Sequence, residues 1–128
     1  MEKVLLFQLS DRDRQLVEKI SSNMRIKVLA VEKEKYRQKL GWLAGEGRPV
    51  LPEVFDGVLP EGSMLVFCNL TEKHMDKMLF ELRSRNADIT YKAALTPVNA
   101  KWNVLRMYAA MEQEKKEMAQ SGRTPEKN

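Results

Sequence analysis

The sequence predicts an α/β fold with two similar halves, and three observations support this prediction. Apolar runs at residues 4–7 and 64–68 have the length and composition of buried strands. Each run is followed by a hydroxyl residue, an acid and then a segment with apolar residues at helical spacing. Each such segment leads into a second strand-like run, near residues 26–31 and 89–95. The order β-α-β-α therefore occurs twice, with matching positions 60 to 62 residues apart.

The first half, residues 3–45, begins with a strand near residues 3–9 that is apolar on both faces. Such a strand belongs in the centre of a sheet that is covered on both sides. Ser10 is expected to cap the helix that follows, because an acid stands three residues later. Its apolar stripe comprises Leu16, Val17, Ile20 and Met24. After the second strand, the sequence predicts a further helix over residues 33–44, which two glycines end.

Residues 46–63 predict a loop, because they contain three prolines and three glycines. The loop is too apolar for a floppy linker, so we expect it to lie along the surface with its apolar residues tucked in. These residues are Val50, Leu51, Val54, Phe55, Val58 and Leu59. Long ordered loops often shape binding sites, although a loop of this kind could equally just cover the core.

The second half, residues 64–118, repeats the pattern with Thr71 as the expected helix cap. Its first helix carries Met75, Met78, Leu79 and Leu82 on one face. The strand near residues 89–95 alternates apolar and polar side chains, which is typical of an edge strand. Thr96 and Pro97 are expected to begin the last helix, as its cap and first helical residue. We expect residues 1–118 to form one pseudo-symmetric domain and residues 119–128 a flexible tail.

Two sheet arrangements fit this order of elements. In a ferredoxin-like sandwich with extra helices, the strand order is 4-1-3-2 and the first and third strands are antiparallel. In the alternative, a three-layer parallel sheet, the order is 2-1-3-4. We favour the sandwich because the proline-broken connection suits a chain that turns back. Only the parallel sheet would gather the turns after the strands around one crevice.

Composition indicates a soluble globular protein. The 128 residues are 43% hydrophobic and 31% charged, and the longest apolar runs are far too short to span a membrane. The N-terminus lacks the features of a signal peptide, and a single cysteine fits a reducing compartment, so we expect a cytoplasmic protein. The net charge of +4 lies within residues 1–48, but its lysines alternate with acids. Nucleic-acid binding is therefore only a weak alternative.

The sequence offers no recognisable catalytic, cofactor or metal motif. Neither strand-to-helix turn contains the glycines of a phosphate-binding loop, which argues against the usual nucleotide sites. One cysteine and one histidine cannot build a structural zinc site. Cys68 and His74 could in principle form a nucleophilic pair, but a buried strand cysteine acting as a small hydrophobe is the stronger interpretation. We therefore expect no cofactor, no metal and no catalytic residue.

Two segments resemble a known family: LGWLAG at residues 40–45 and KAALTPVNAKW at residues 92–102. They are similar to the bacterial Domain of Unknown Function 3783 family, whose members share a Lys-Ala-x-Leu-Thr-Pro-x-Asn-x-x-Trp motif. The matching residues are Lys92, Ala93, Leu95, Thr96, Pro97, Asn99 and Trp102. The resemblance covers residues 3–117 approximately. It implies a bacterial, cytoplasmic protein and brings no activity with it.

The sequence leads to three functional hypotheses. The first is a non-catalytic regulatory or adaptor module that binds a partner, a second copy of itself or a small anionic ligand. Its candidate ligand-binding residues are Lys92, Thr96, Asn99 and Asn69. There Lys92 would hold an anion with help from the amides of the last helix. The second is an enzyme of unknown reaction at the same residues, and the third is weak nucleic-acid binding. Helix-start chemistry alone also accounts for Thr96 and Asn99.

Overall fold

The computed structural model describes residues 1–51 and 54–121 of the chain. Its strands are β1 (Lys3–Phe7), β2 (Lys27–Ala30), β3 (Met64–Cys68) and β4 (Tyr91–Ala94). Its α-helices are α1 (Asp11–Asn23), α2 (Leu40–Leu43), α3 (Glu72–Ser84) and α4 (Val104–Ser121). One-turn 3-10 helices lie at Lys33–Lys35 and Asn99–Lys101. These elements confirm the predicted α/β class with a four-stranded sheet. In this part of the chain no helix is long and apolar enough to cross a membrane.

The sheet combines one feature from each predicted arrangement. Its order is β2-β1-β3-β4, the order of the three-layer alternative and not the 4-1-3-2 order of the sandwich. Its central pair, β1 and β3, is antiparallel, as the sandwich requires and the fully parallel sheet does not. Both outer pairs are parallel. The reason is that each β-α-β unit closes between neighbouring strands, and the chain reverses direction only in the connection between β2 and β3.

Helices cover both faces of the sheet, which explains the all-apolar strands. Alternate residues of β1 and β3 enter two separate hydrophobic clusters, so neither strand has a wet face. Helices α1 and α3 pack on one face, where the buried residues are Val4, Leu6, Val17, Ile20, Ile26, Leu65, Phe67, Met78, Leu82 and Ile89. Helices α2 and α4 pack on the other face. Its buried residues are Leu5, Phe7, Val31, Tyr36, Leu40, Leu43, Phe55, Met64, Val66, Cys68, Val104, Met107 and Tyr108.

Helices α1 and α3, on one face of the sheet, begin in the same way. Ser10 and Thr71 are the N-caps of α1 and α3, and each side chain accepts a hydrogen bond from the backbone N–H three residues later. Both helices contain 13 residues. Satisfying an otherwise free N–H at a helix start typically stabilises a protein by about 1 kcal/mol. The predicted capping roles of Ser10 and Thr71 are therefore confirmed.

Residues with left-handed backbone conformation stand before and after both α1 and α3, at corresponding positions of the two halves. Gln8 and Asn69 precede the caps with φ of 61° and 62°, and Arg25 and Asn86 follow the helices with φ of 58° and 57°. Each pair is 61 residues apart, the same as the two caps (69 − 8, 86 − 25 and 71 − 10). The two halves therefore share their turns as well as their element order. This geometry supports the prediction that the two halves are an internal repeat, which stays a prediction.

The connection between β2 and β3 differs from its prediction in two respects. The helix predicted over residues 33–44 is instead the turn Lys33–Lys35 and the short helix α2, with Tyr36 buried between them. Of the apolar loop residues that we expected to be tucked in, only Phe55 is buried. The strongly exposed ones are Leu51 (77%), Val54 (61%) and Val58 (94%). The loop therefore displays apolar side chains instead of covering the core with them.

The last helix begins later than the sequence predicts. Thr96 and Pro97 start only the 3-10 turn Asn99–Lys101, and α4 begins at Val104. The helix cannot start earlier because Trp102 is extended and its carbonyl accepts a hydrogen bond from Leu40 N at 2.9 Å. At its other end, α4 includes residues 119–121 of the predicted tail. Residues 122–128 lie outside the described part of the chain.

Candidate functional site

The structure does not gather all four predicted ligand-binding residues in one place. Lys92 is the register partner of Leu65, whose side chain lies on the face covered by α1 and α3. Lys92 therefore lies on that same face, and it is exposed. Thr96 and Asn99 follow β4, whose next residue Leu95 packs on the opposite face with α4. Asn69 is exposed in the left-handed turn after β3. Thr96 and Asn99 are therefore brought together, whereas Lys92 points away from the α4 face. The ligand-binding role of the set stays a prediction.

Thr96 and Asn99 fix each other and the end of β4. The Asn99 side-chain Oδ1 accepts a hydrogen bond from Thr96 N at 2.8 Å, and the Thr96 hydroxyl accepts one from Asn99 N at 3.0 Å. The Asn99 amide donates to the carbonyl of Ala94 at 3.0 Å. Asn99 is only 7% exposed. These bonds occupy both polar ends of the buried side chain, so they give the pair a structural role in the turn.

The two segments that carry the family resemblance contact each other. Lys39 and Asn103 form an isolated antiparallel bridge directly before α2 and α4. Gly41 lies so close to the other segment that a Cβ there would stand 3.1 Å from the carbonyl oxygen of Ala100. A glycine therefore fits best where α2 meets the 3-10 turn, because a Cβ would force the two backbones apart by a few tenths of an ångström. Packing between two parts of the fold accounts for the glycine in LGWLAG without a ligand.

Cys68 and His74 have separate environments. Cys68 is fully buried, and this burial raises the pKa of its thiol to about 11. His74 instead contacts Glu2, with Nδ1 at 2.7 Å from a carboxylate oxygen. The same carboxylate accepts a hydrogen bond from Thr71 N at 2.9 Å, and this bond, with His74 contributing less, lowers the pKa of Glu2. Within the described residues no group of three or more His, Cys, Asp or Glu could hold a metal ion.

The loop between α2 and β3 is attached to the domain near its start by Gln38. Its side chain is fully buried, and its amide donates to the carbonyl of Val50 at 3.0 Å. Its carbonyl oxygen accepts from the backbone N–H of Val50 at 2.7 Å. Two hydrogen bonds to one backbone residue imitate the pairing of a β-strand. This contact holds the first part of the loop in place.

The middle of the loop is attached at Phe55. Its backbone N–H donates to the carbonyl of Glu34 at 2.9 Å. Its ring stacks on Tyr36 with centroids 6.4 Å apart, and the guanidinium of Arg37 lies 5.6 Å from its centroid. Aromatic and cation–π contacts of this geometry each contribute about 0.5–1.5 kcal/mol beyond burial. Phe55 therefore anchors a loop whose neighbouring residues are exposed.

The end of the loop is attached by Gln8 and Tyr108. The Gln8 amide donates to the carbonyls of Pro60 and Gly62 at 2.8 and 2.9 Å. The Tyr108 hydroxyl donates to Gly62 O at 2.9 Å, and burial raises its pKa to about 12. Gln8 is left-handed, which costs a bulky residue conformational energy. Its hydrogen bonds to the loop help to offset this cost.

Between these attachments the loop forms an exposed apolar ridge, which we define as residues 54–59. Val58 is 94% exposed, Val54 61% and Leu59 37%, although Phe55 between them is buried. A hollow of about 360 Å³ lies on one side of the ridge, next to Lys33 and Glu34. The ridge groove, a hollow of about 560 Å³, lies on the other side. The ridge is therefore a raised apolar surface on a firmly attached loop.

The ridge groove runs between the loop, β4 and helix α4. Its lining comprises Phe55, Val58, Leu59, Pro60, Glu61, Tyr91, Leu105, Tyr108, Ala109 and Glu112. Most of these side chains are apolar or aromatic. The volume lies within the 300–1,000 Å³ typical of ligand-binding clefts. The groove and the ridge together give this face a contact surface with both a projection and a hollow.

A second cavity of about 560 Å³ lies on the other side of the Pro60–Gly62 segment and is polar. Its lining groups already bond with one another. The Asp13 carboxylate, 3% exposed, accepts from Asp88 N at 3.2 Å, and the Ser63 hydroxyl accepts from Thr90 N at 3.1 Å. These bonds join the loop and the start of α1 to the strand ends. The polar cavity is therefore a structural junction, and the ridge groove is the stronger candidate site.

Sequence reasoning identified the loop as a place that could shape a site, but it missed the residues that hold it. Gln38, Gln8 and Tyr108 carried no motif, because each binds backbone carbonyl groups elsewhere in the chain. Gln38 stands between Arg37 and Lys39 in a charged segment, so the sequence carried no signal of its burial. The exposure of Val54 and Val58 was also missed, because composition alone suggested burial.

Residues 63–118 match the family model described as Domain of unknown function (DUF3783). The match covers β3, α3, β4 and most of α4, so it includes the KAALTPVNAKW segment. The predicted resemblance is therefore confirmed for this part of the chain. No curated protein and no solved structure matched the chain.

Proposed function

We propose that the chain is a non-catalytic binding module, of a regulatory or adaptor kind, that contacts a partner protein through the ridge and the ridge groove. The observation that carries this proposal is the exposure of Val54, Val58 and Leu59 on a loop that is fastened at three places. Exposed apolar residues on an attached loop bind a partner at a lower entropic cost than the same residues on a free loop.

Two further features support a binding role over a catalytic one. The buried thiol of Cys68 has a raised pKa, which makes it a poor nucleophile. The polar cavity beside the loop has its buried acid bonded to backbone, so that acid is not poised for proton transfer. We further propose that the protein is cytoplasmic, because an unpaired buried cysteine suits a reducing compartment. The family resemblance also implies a bacterial origin, which we propose for this chain.

Affinity capture from an extract of the source organism tests the proposal. The wild-type chain is immobilised beside Val58→Asp, which places a charge on the most exposed ridge residue. The matched control is Val98→Asp, because Val98 is also a well-exposed valine, 65%, but lies after β4 and outside the groove lining. We expect a protein that the wild type and Val98→Asp retain and Val58→Asp loses.

Two results would contradict the proposal. If Val58→Asp retains every protein that the wild type retains, the ridge is not the contact surface. If Val98→Asp loses the protein and Val58→Asp keeps it, the contact surface lies around the turn after β4. Circular dichroism of each variant shows whether it is folded, and both sites are exposed enough to tolerate a charge.

A small anionic ligand at Lys92 is the second candidate, and it depends on a different face of β4. Lys92 is exposed and forms no ion pair with any described residue. An anionic metabolite bound there should raise the melting temperature of the wild type and not of Lys92→Ala. An equal shift in both proteins would remove Lys92 from the ligand site.

A further inference from the structure

Resting on the proposed function, we infer that the ridge groove takes a basic, apolar segment of a partner protein. In such a segment one or two large apolar side chains would enter the hollow, and flanking lysine or arginine residues would meet its rim. The inference follows from the charges that line the groove and from the shape of its floor. It states the chemical class of the partner segment that would bind the contact surface proposed above.

Among the described residues that line the ridge groove, the two charged ones are both acids. Glu61 lies at the loop side of the groove and Glu112 on helix α4 opposite. The chain as a whole carries a net charge of +4, whereas both charged residues among the groove lining are negative. Complementary charge at the rim of an interface selects partners and speeds their association. A partner with cations on both sides of an apolar anchor would match the two acids.

Two lysines of α4 lie near this rim, and neither neutralises it firmly. Lys116 Nζ is 3.7 Å from a Glu112 oxygen, and their side chains are 65% and 60% exposed. An ion pair as exposed as this one contributes little to stability, so a partner cation can replace Lys116. Lys115 Nζ lies 5.8 Å from the centroid of the Tyr91 ring instead of near an acid. Glu61 forms no ion pair with any described residue.

The floor of the groove suits an apolar anchor. Tyr91 and Tyr108 meet edge to face there, with ring centroids 6.0 Å apart. The Tyr108 hydroxyl is bonded to Gly62 O at 2.9 Å, so the Tyr108 ring contributes its carbon atoms to the floor. Leu105 and Ala109 form the helix wall. An aromatic floor with an aliphatic wall favours an apolar anchor such as Leu, Met or Phe.

Two synthetic peptides of equal length test the inference by fluorescence anisotropy. Both carry the same leucines at helical spacing; the remaining positions are lysine in the basic peptide and glutamate in the acidic one. At about 150 mM salt, where exposed charges are screened beyond roughly 8 Å, we expect saturable binding of the basic peptide. Binding of the acidic peptide should be at least about tenfold weaker, as expected for like charges at the rim.

Variants separate the groove from the rest of the surface. Glu61→Lys combined with Glu112→Lys should reverse the preference between the two peptides, because both lining acids change sign. Ala109→Trp, at an exposed position of the helix wall, should weaken both peptides by filling the hollow. The matched control is Glu114→Lys with Glu117→Lys, two acids of α4 outside the lining, which should leave the preference unchanged.

Three outcomes would overturn the inference. Equal binding of both peptides, or a preference that the double variant does not reverse, removes the role of the acids. Binding that Ala109→Trp leaves unchanged places the peptide elsewhere. A dimer that dissociates in Val58→Asp would make a second copy the occupant. The contact surface proposed above would survive the first outcome if Val58→Asp still loses the captured partner, so the two failures can be told apart.

Discussion

At the scale of single residues, the buried hydroxyl of Tyr108 fastens the end of the loop. Replacing Tyr108 by Phe removes its hydrogen bond to Gly62 O at 2.9 Å and the longer contacts of its hydroxyl with Phe7 O and Gln8, and it leaves the ring packing intact. We expect the free energy of unfolding to fall by about 0.5–1.5 kcal/mol, the usual net contribution of one hydrogen bond, because Gly62 O keeps its bond from Gln8. Urea denaturation of both proteins measures the change. A loss below about 0.3 kcal/mol would mean that the hydroxyl does not hold the loop.

Cys68 should be inert while the protein is folded. It is fully buried at the end of β3, and its pKa of about 11 leaves little thiolate at neutral pH. A coloured disulfide reagent at pH 8 should react with the unfolded chain at least about a hundredfold faster than with the native one. Rapid reaction of the native protein would contradict the burial of Cys68 and reopen its role as a nucleophile.

Glu2 should make the stability depend on acid pH. The N–H of Thr71, and to a lesser degree His74, hold its pKa below the ordinary value of 4.5. A carboxyl with a lowered folded-state pKa stabilises the fold fully above pH 4.5, and this contribution disappears as pH falls through the folded value. The free energy difference between wild type and Glu2→Gln should therefore be largest near neutral pH.

Chemical denaturation of wild type and Glu2→Gln between pH 3 and pH 7 measures that dependence. We expect wild type to be more stable at pH 7 by about 1 kcal/mol, the usual size of a charged hydrogen bond on a partly exposed group. The two curves should converge toward pH 3. Parallel curves over the whole range would show that the Glu2 carboxylate contributes nothing through its charge.

At the scale of elements, the contact between α2 and the turn after β4 depends on Gly41. A Cβ at this position would stand 3.1 Å from the carbonyl oxygen of Ala100, a backbone atom that cannot move alone. Gly41→Ala should therefore cost about 1–3 kcal/mol, as overpacking usually does, in spite of alanine's better helix propensity. Gly47→Ala is the comparison variant: a Cβ there has open space but the residue has positive φ, so its cost measures backbone strain without overpacking. A stabilised Gly41→Ala would contradict this packing.

The elements also show which local signals can be read from a sequence. Ser10 and Thr71 were predictable as caps because a cap bonds to an N–H only three residues away. The start of α4 was not, since Thr96 and Pro97 have ordinary helix-start chemistry. What delays the helix is a distant contact, the bond from Leu40 N to Trp102 O. Local chemistry predicted where a helix could start, and tertiary pairing decided where it does.

At the scale of the whole molecule, the apolar runs of β1 and β3 predicted their central positions correctly. Burial on both faces removes the usual alternation, and this is visible in the sequence. Strand direction was not visible, because it depends on the path of the connection between β2 and β3. The loop attachments could not be predicted from the sequence either, because Gln8 and Tyr108 bind carbonyl groups 46 to 54 residues away. The loop could be predicted as a feature, but its exposed ridge could not.

Amide hydrogen exchange, with and without the captured partner, tests most directly the claim that the ridge and the ridge groove are the contact surface. Backbone N–H groups of residues 54–59 and of the groove side of α4, around residues 105–112, should exchange at least about tenfold more slowly in the complex. The edges around Lys92 and Asn69 should be unchanged. Protection at Lys92 and Asn69, with none at residues 54–59, would show that the ridge and the ridge groove are not the contact surface.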